Sequence, residues 1–204
     1  VYAQKFIESL AEMAKFRRYY WEKGGIEELS LFHGNETVDN IQLFVSLISD
    51  MKTSMALPIL ARYWGSDLKQ IGDKDFLLAL KAVIAFIVLR RAATGNTAGI
   101  DSDFRALMTT GDGSRKFGFC AGVDHKNPVP SIKELKEGLR ILLEYKLKPL
   151  TRSDWVNKAS ANPLYEQSRE LVRFMLFTAA HQAMPSETSA GLWNKIGVKP
   201  DPNN

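Results

Sequence analysis

Three groups of residues have types and spacing that invite chemistry. Gly111-Asp112-Gly113-Ser114-Arg115-Lys116 combines glycines, a hydroxyl and two cations, the ingredients of a loop that cradles phosphate. A Walker loop needs two glycines five apart, then lysine and serine or threonine, with a strand in front. This stretch has neither, and it reads as an exposed turn with solvated charges. Cys120, Asp124 and His125 are ligand types close together. A structural zinc site needs a second pair at suitable spacing, and the other histidines, His33 and His181, stand alone. A Cys–His nucleophilic pair also needs a group to orient its base, and none is offered. The third group is Arg90, Arg91, Thr94, Asn96 and Thr97. One arginine suits the negative end of a helix, worth about 0.3–1 kcal/mol. The planar fork of the other is left open for a phosphate or a carboxylate of a neighbouring domain. Catalytic residues and a metal site are therefore not expected. Arg90, Arg91, Asn96 and Thr97 are expected to make interdomain or phosphate contacts.

A fourth group is looser. Lys133, Lys136, Arg140, Lys146 and Lys148 read as the basic edge of one helix. Such an edge is often only a solvated face. With Arg115 and Lys116 added, the group up to Arg140 becomes the candidate contact to a DNA backbone.

The elements that must position these groups are helical throughout. Phe76 to Leu89 is apolar on nearly every side, interrupted by Lys81 and ending in Arg90-Arg91 and a Gly/Asn/Thr turn. A helix without a polar face belongs in the middle of a domain. Tyr2 to Trp21 and the region of Ile41 to Ile48 carry three- and four-residue apolar spacing. Pro58 suits the first turn of a helix reaching Trp64. Asp73 or Asp75 is expected to cap the long core helix, and Asp101 a short one over Phe104 to Met108. Ser131 and Glu134 make a capping box that opens a helix to about Tyr145. Ser153-Asp154-Trp155 begins a short piece, and Asn162-Pro163 starts the last major helix. Between Thr109 and Pro130, four glycines and two prolines break every period, a long excursion of the kind that is usually functional or mobile. The expectation is an all-α, irregular multi-helix bundle without strands. It forms a single helical domain over residues 1–204, with possible sub-lobes at 1–108 and 131–204.

Composition agrees with a domain that buries a real core: 204 residues, 45% hydrophobic and 25% charged. The single cysteine excludes an internal disulfide and suits a reducing cytoplasm. The longest apolar run is too short to span a bilayer, so no membrane partner is expected. Residues 1–102 hold twelve basic and twelve acidic side chains, while residues 103–204 hold fifteen and eleven. The whole net charge of +4 thus lies in the second half, which is compatible with a nucleic-acid surface. The chain opens at Val1 in helical pattern and closes on a proline- and asparagine-rich run, so a fragment of a longer protein is expected.

A family resemblance emerges from Ile87-Val88-Leu89-Arg90-Arg91-Ala92-Ala93-Thr94-Gly95-Asn96-Thr97, followed by Phe104. An apolar helix ending in Arg-Arg, then a Gly-x-Thr turn and a short helix, resembles the middle region of GmrSD-type proteins. These are two-part, modification-dependent restriction endonucleases of phage defence. Three further pieces are similar in the same order: DMKTSMALPIL at 50–60, a helix ending in Pro and Leu; Pro130 to Leu135, a Pro-Ser helix start; and Arg173-Phe174-Met175-Leu176. The resemblance spans roughly Met51 to Ala183. It implies a non-catalytic connector between a ParB-like nucleotidase, marked by Asp-Gly-Gln-Gln-Arg, and an HNH-type nuclease, marked by Glu-His-Ile-x-Pro. Neither signature occurs in this chain, so nucleotide and divalent metal would belong to the missing domains. The implied partners are those flanking domains and DNA. A self-contained helical protein-interaction module is the other reading the residues allow.

Overall fold

The computed structural model describes residues 47–64, 73–108, 130–148 and 151–182, with scattered positions up to residue 45 and four between 185 and 190. The fold is all-α. In the first stretch Gln4, Ile7, Leu10, Ala11, Ala14 and Lys15 are helical, and Arg17 and Arg18 have π geometry. Phe44, Val45 and Leu47 to Asp50 belong to the next helix. A 3-10 turn at Ser54–Ala56 then leads into α1 (Leu57–Trp64). The remaining helices are α2 (Asp73–Thr94), α3 (Ile100–Met108), α4 (Ile132–Leu147), α5 (Arg152–Ser160), the single turn α6 (Leu164–Gln167) and α7 (Arg169–Gln182). Two-residue strands at Pro185–Ser186 and Ser189–Ala190 pair antiparallel, a small departure from the strandless expectation.

The apolar helix sits where its composition requires. α2 packs against α1, α4 and α5. Phe76, Ala79, Leu80, Val83, Ile84, Phe86 and Ile87 are all buried, and Lys81 and Ala85 lie on a narrow exposed strip. Each large apolar side chain so buried contributes about 1.5–3 kcal/mol, which is why the helix tolerates no polar face. One core cluster runs from Val45 through α2 to Leu135, Leu139, Leu143 and Leu147 of α4 and on to Leu171. Phe86 and Phe104 meet within it at 5.4 Å.

Local signals explain most boundaries, and where they fail a neighbouring group takes over. Ser131 and Glu134 form both bonds of the capping box, and α4 runs two residues beyond Tyr145. The caps expected of Asp73, Asp75 and Asp101 are not made: the helices begin at Asp73 and Ile100. All three residues therefore stand in a first turn by position, where Asp101 pairs with Arg105. The cap of α5 is Thr151, whose hydroxyl accepts from the Asp154 backbone N–H at 3.1 Å, so this helix starts before Ser153. DMKTSMALPIL is a helix end, a 3-10 turn and a new helix, because Lys52 adopts φ 53°. There the Thr53 N–H reaches Ile48 O at 3.0 Å and the Lys52 N–H reaches Ser49 O at 2.8 Å, a Schellman ending with lysine where glycine is usual. The last helix is divided: Ser168, with φ −158°, separates α6 from α7. Among the described residues no helix is long and apolar enough to cross a membrane.

Candidate functional site

The C-terminal end of α2 is where most long-range polar contacts converge. The final carbonyls of a helix have no partner within it; here the following turn and Asn162 supply partners, and Trp155 bonds a carbonyl one turn further in. The Thr94 hydroxyl donates to Arg90 O at 2.9 Å. The Gly95 N–H donates to Arg91 O at 2.8 Å. The Asn162 amide donates to Ala92 O at 2.9 Å, and the Trp155 indole N–H to Leu89 O at 2.8 Å. Asn96 closes the turn by donating to Thr94 O and accepting from the Ala98 N–H. Thr97 is exposed and contributes its carbonyl, which accepts from the Ile100 N–H. Gly95, at φ +73°, turns the chain where a Cβ would stand 2.6 Å from Gln167 Oε1 and 2.9 Å from Asn162 Oδ1. Asn96 and Thr97 are thus turn-builders.

The two arginines point in different directions, and both point inward. Arg90 is 4% exposed. Its Nη2 donates to Ala98 O at 2.8 Å, and its Nε lies 2.7 Å from Oδ2 of Asp103, itself buried. That approach is an ion-pair contact without hydrogen-bond alignment: Nε, Nη1 and Asp103 Oδ2 all lack a hydrogen-bond partner. Lys146 Nζ stands 3.5 Å from the other Asp103 oxygen. Arg90, Asp103 and Lys146 therefore join α2, α3 and α4 through one carboxylate. Removing one member of such a buried set leaves an uncompensated charge.

Arg91, half-buried, ties α2 to the two ends of the described core. Its Nη2 donates to Ser168 Oγ at 3.0 Å and its Nη1 makes a long 3.5 Å contact to Met51 O. Burial lowers the Arg91 pKa, and nearby Glu170 opposes that shift. Burial raises the Asp50 carboxyl above its usual range, and Glu170 adds to the rise. The break at Ser168 thus coincides with the contact that Arg91 needs.

The basic edge of α4 separates into three parts. Lys133 and Lys136 are exposed beside an open depression lined with Ile132, Glu137 and Arg140. Arg140 is already engaged, forming a fork to Glu137 at 2.7 and 3.0 Å and a further bond to Glu144. The Arg140 hydrogen bond holds the Glu137 carboxyl below its ordinary range, with the charges of Arg140 and Lys133 acting the same way. Hydrogen bonds donated to Glu137 and then to Glu144 hold Arg140 further towards its cationic form. Lys146 stands at the margin between the exposed edge and the core: its side chain is exposed, yet its ammonium reaches Asp103. Lys148 Nζ and Lys146 Nζ lie 5.2 and 5.9 Å from the ring centre of Tyr145, an exposed aromatic that the charge pattern alone does not single out.

Arg115 and Lys116, and with them Cys120, Asp124, His125 and His33, lie outside the described residues. Among the described residues no group of His, Cys, Asp and Glu is placed to hold a metal ion. Asp103, Ser168, Asn162 and Trp155 escape sequence reading because each acts at long range. Asn162-Pro163 is the clearest case: it reads as a helix start, yet the Asn162 side chain closes a helix seventy residues earlier. Comparison with known protein families finds none that matches the chain, and comparison with curated proteins finds no match either.

Proposed function

We propose that this chain is a helical connector of a GmrSD-like, nucleotide-dependent DNA restriction or phage-defence protein. It has no reaction of its own, holds a ParB-like nucleotidase and an HNH-type nuclease in register, and touches DNA on its basic side. The observation that carries the reading is the divergence of Arg90 and Arg91. Arg90 binds the turn and the helix α3 that follow α2 in the chain, and Arg91 reaches the helix end before α1 and the residue between α6 and α7. A displacement applied near either end of the core meets the same joint. Coupling travels through contiguous packed and hydrogen-bonded contacts of this kind, and it requires two arrangements with different affinity for nucleotide or DNA. The arginines therefore serve coupling from inside the domain.

The first test is the coding sequence on either side of the chain. An Asp-Gly-Gln-Gln-Arg segment upstream and an HNH signature downstream support the proposal; a reading frame that holds neither sinks it. In the polypeptide with both flanking domains, Arg91→Met is expected to weaken the dependence of DNA cleavage on nucleotide. Its cost in domain stability is expected to be about 1 kcal/mol. Cleavage that keeps its full nucleotide dependence would reduce Arg91 to a packing residue. Exposed Val156, Tyr165 and Leu176 favour the second reading, a self-contained protein-interaction module.

A further inference from the structure

The outward face of α4 carries something the duplex-backbone reading does not use. Tyr145 is 65% exposed and Ile141, one turn earlier on the same side, is 52% exposed. Tyrosine and isoleucine left in water on a helix with a leucine-lined core face are not needed for folding. The Tyr145 ring is flanked by two ammonium groups, from Lys148 at 5.2 Å and Lys146 at 5.9 Å. Lys133 and Lys136 stand at the other end of the helix, and Lys136 and Lys148 are about 18 Å apart at 1.5 Å per residue. Between them Arg140 is saturated by Glu137 and Glu144. The free positive charge of the exposed side lies at the two ends of the helix, Lys148 beside the aromatic platform and Lys136 about two and a half turns away on the opposite flank, so a ligand that reaches both runs obliquely across the helix.

We infer that this face binds a single nucleic-acid strand, with one base stacked on Tyr145 and flanking phosphates held by Lys148 at one end and Lys133 and Lys136 at the other. The inference rests on the proposed DNA contact and specifies its form. A duplex keeps its bases stacked inside and would lay its phosphates over the Glu137 and Glu144 carboxylates. A flexible strand can expose a base to the ring and route its phosphates to the cationic ends. Stacking on an aromatic side chain within a positively charged groove is how strands are held without sequence preference. Lys148 then exchanges its contact with the ring for one with phosphate, and Ile141 covers the sugar or the next base.

The test is fluorescence anisotropy of the whole chain with a labelled 20-nucleotide thymidine strand, the same length of duplex, and labelled polyglutamate, at 50 and 200 mM salt. The strand is expected to bind more tightly than duplex or polyglutamate. Tyr145→Ala is expected to weaken strand binding about five-fold or more while leaving the salt dependence unchanged. Tyr145→Trp is expected to retain it, and Lys148→Ala to flatten the logarithmic salt slope by about 0.7. Because Tyr145 is largely exposed, neither Tyr145 variant puts folding at risk. Tighter duplex binding with Tyr145→Ala neutral overturns the strand inference and leaves the broader DNA contact standing. No binding to either nucleic acid at 50 mM salt overturns both. Polyglutamate bound as well as the strand assigns the face to an acidic protein.

Discussion

At the scale of single residues, Arg90 and Arg91 illustrate how identical side chains at adjacent positions acquire different work. Arg90 lies in the core with an acidic partner and incomplete hydrogen bonding, whereas Arg91 lies at the margin and bridges separate segments. Arg90→Ala would strand the buried Asp103 carboxylate. The expected loss is about 3 kcal/mol, the low end for a broken buried pair, because Lys146 remains near that carboxylate. Replacing the pair together, Arg90→Met with Asp103→Leu, is expected to be neutral or stabilising. The ion pair must offset its own desolvation, and Nε, Nη1 and Oδ2 lack bonds. Urea unfolding of both variants measures the contrast, and a double variant less stable than Arg90→Ala would contradict it. Sequence reading covers only part of what the structure shows of these two arginines. It placed Arg90 and Arg91 at a helix end, which local pattern shows. It left one free to face outward, because no local pattern reveals an aspartate thirteen residues on or a serine seventy-seven residues on.

At the scale of elements, helix endings divide into those written locally and those imposed. The capping box of α4 is local, and Ser131→Ala is expected to cost about 1 kcal/mol. The ending before the 3-10 turn is imposed: Lys52 stands at φ 53° in a Schellman motif whose usual residue is glycine. Lys52→Gly is therefore expected to raise stability by about 1 kcal/mol, relieving the left-handed strain. Thermal unfolding of the two variants side by side should show shifts of opposite sign. The segment DMKTSMALPIL shows by its sequence the helix start near Pro58 but not the helix end at Lys52. It contains no glycine and its proline suits a first turn, so nothing announces the reversal. The same holds for Ser168, where a helix that is continuous by periodicity is interrupted at the point Arg91 reaches.

At the scale of the whole molecule, the charge distribution affects how stability responds to pH. The folded state raises the Asp50 pKa above its ordinary value of 3.8, so folding favours the protonated carboxyl. Stability from this group is fully present below about 3.8 and is lost as pH rises through the folded pKa. Asp50→Asn should therefore melt at a higher temperature than the native chain at pH 7, and the difference should shrink as pH is lowered to 3.5. Melting curves at the two pH values check this, and an advantage that grows on acidification would show that another group governs.

The sequence by itself determined the helical class, the central place of α2, the capping box of α4 and the positive second half. All of these rest on composition and periods of three to four residues, which neighbours along the chain specify. Only the tertiary structure decided that Arg90 and Arg91 face inward, that Lys146 reaches Asp103, and that Asn162 and Trp155 bond the end of a helix they follow by sixty-six residues or more. The reason is the same in each case. A buried carbonyl or guanidinium must find a partner wherever the packing of apolar faces brings one, and that choice is made only when helices remote in sequence meet.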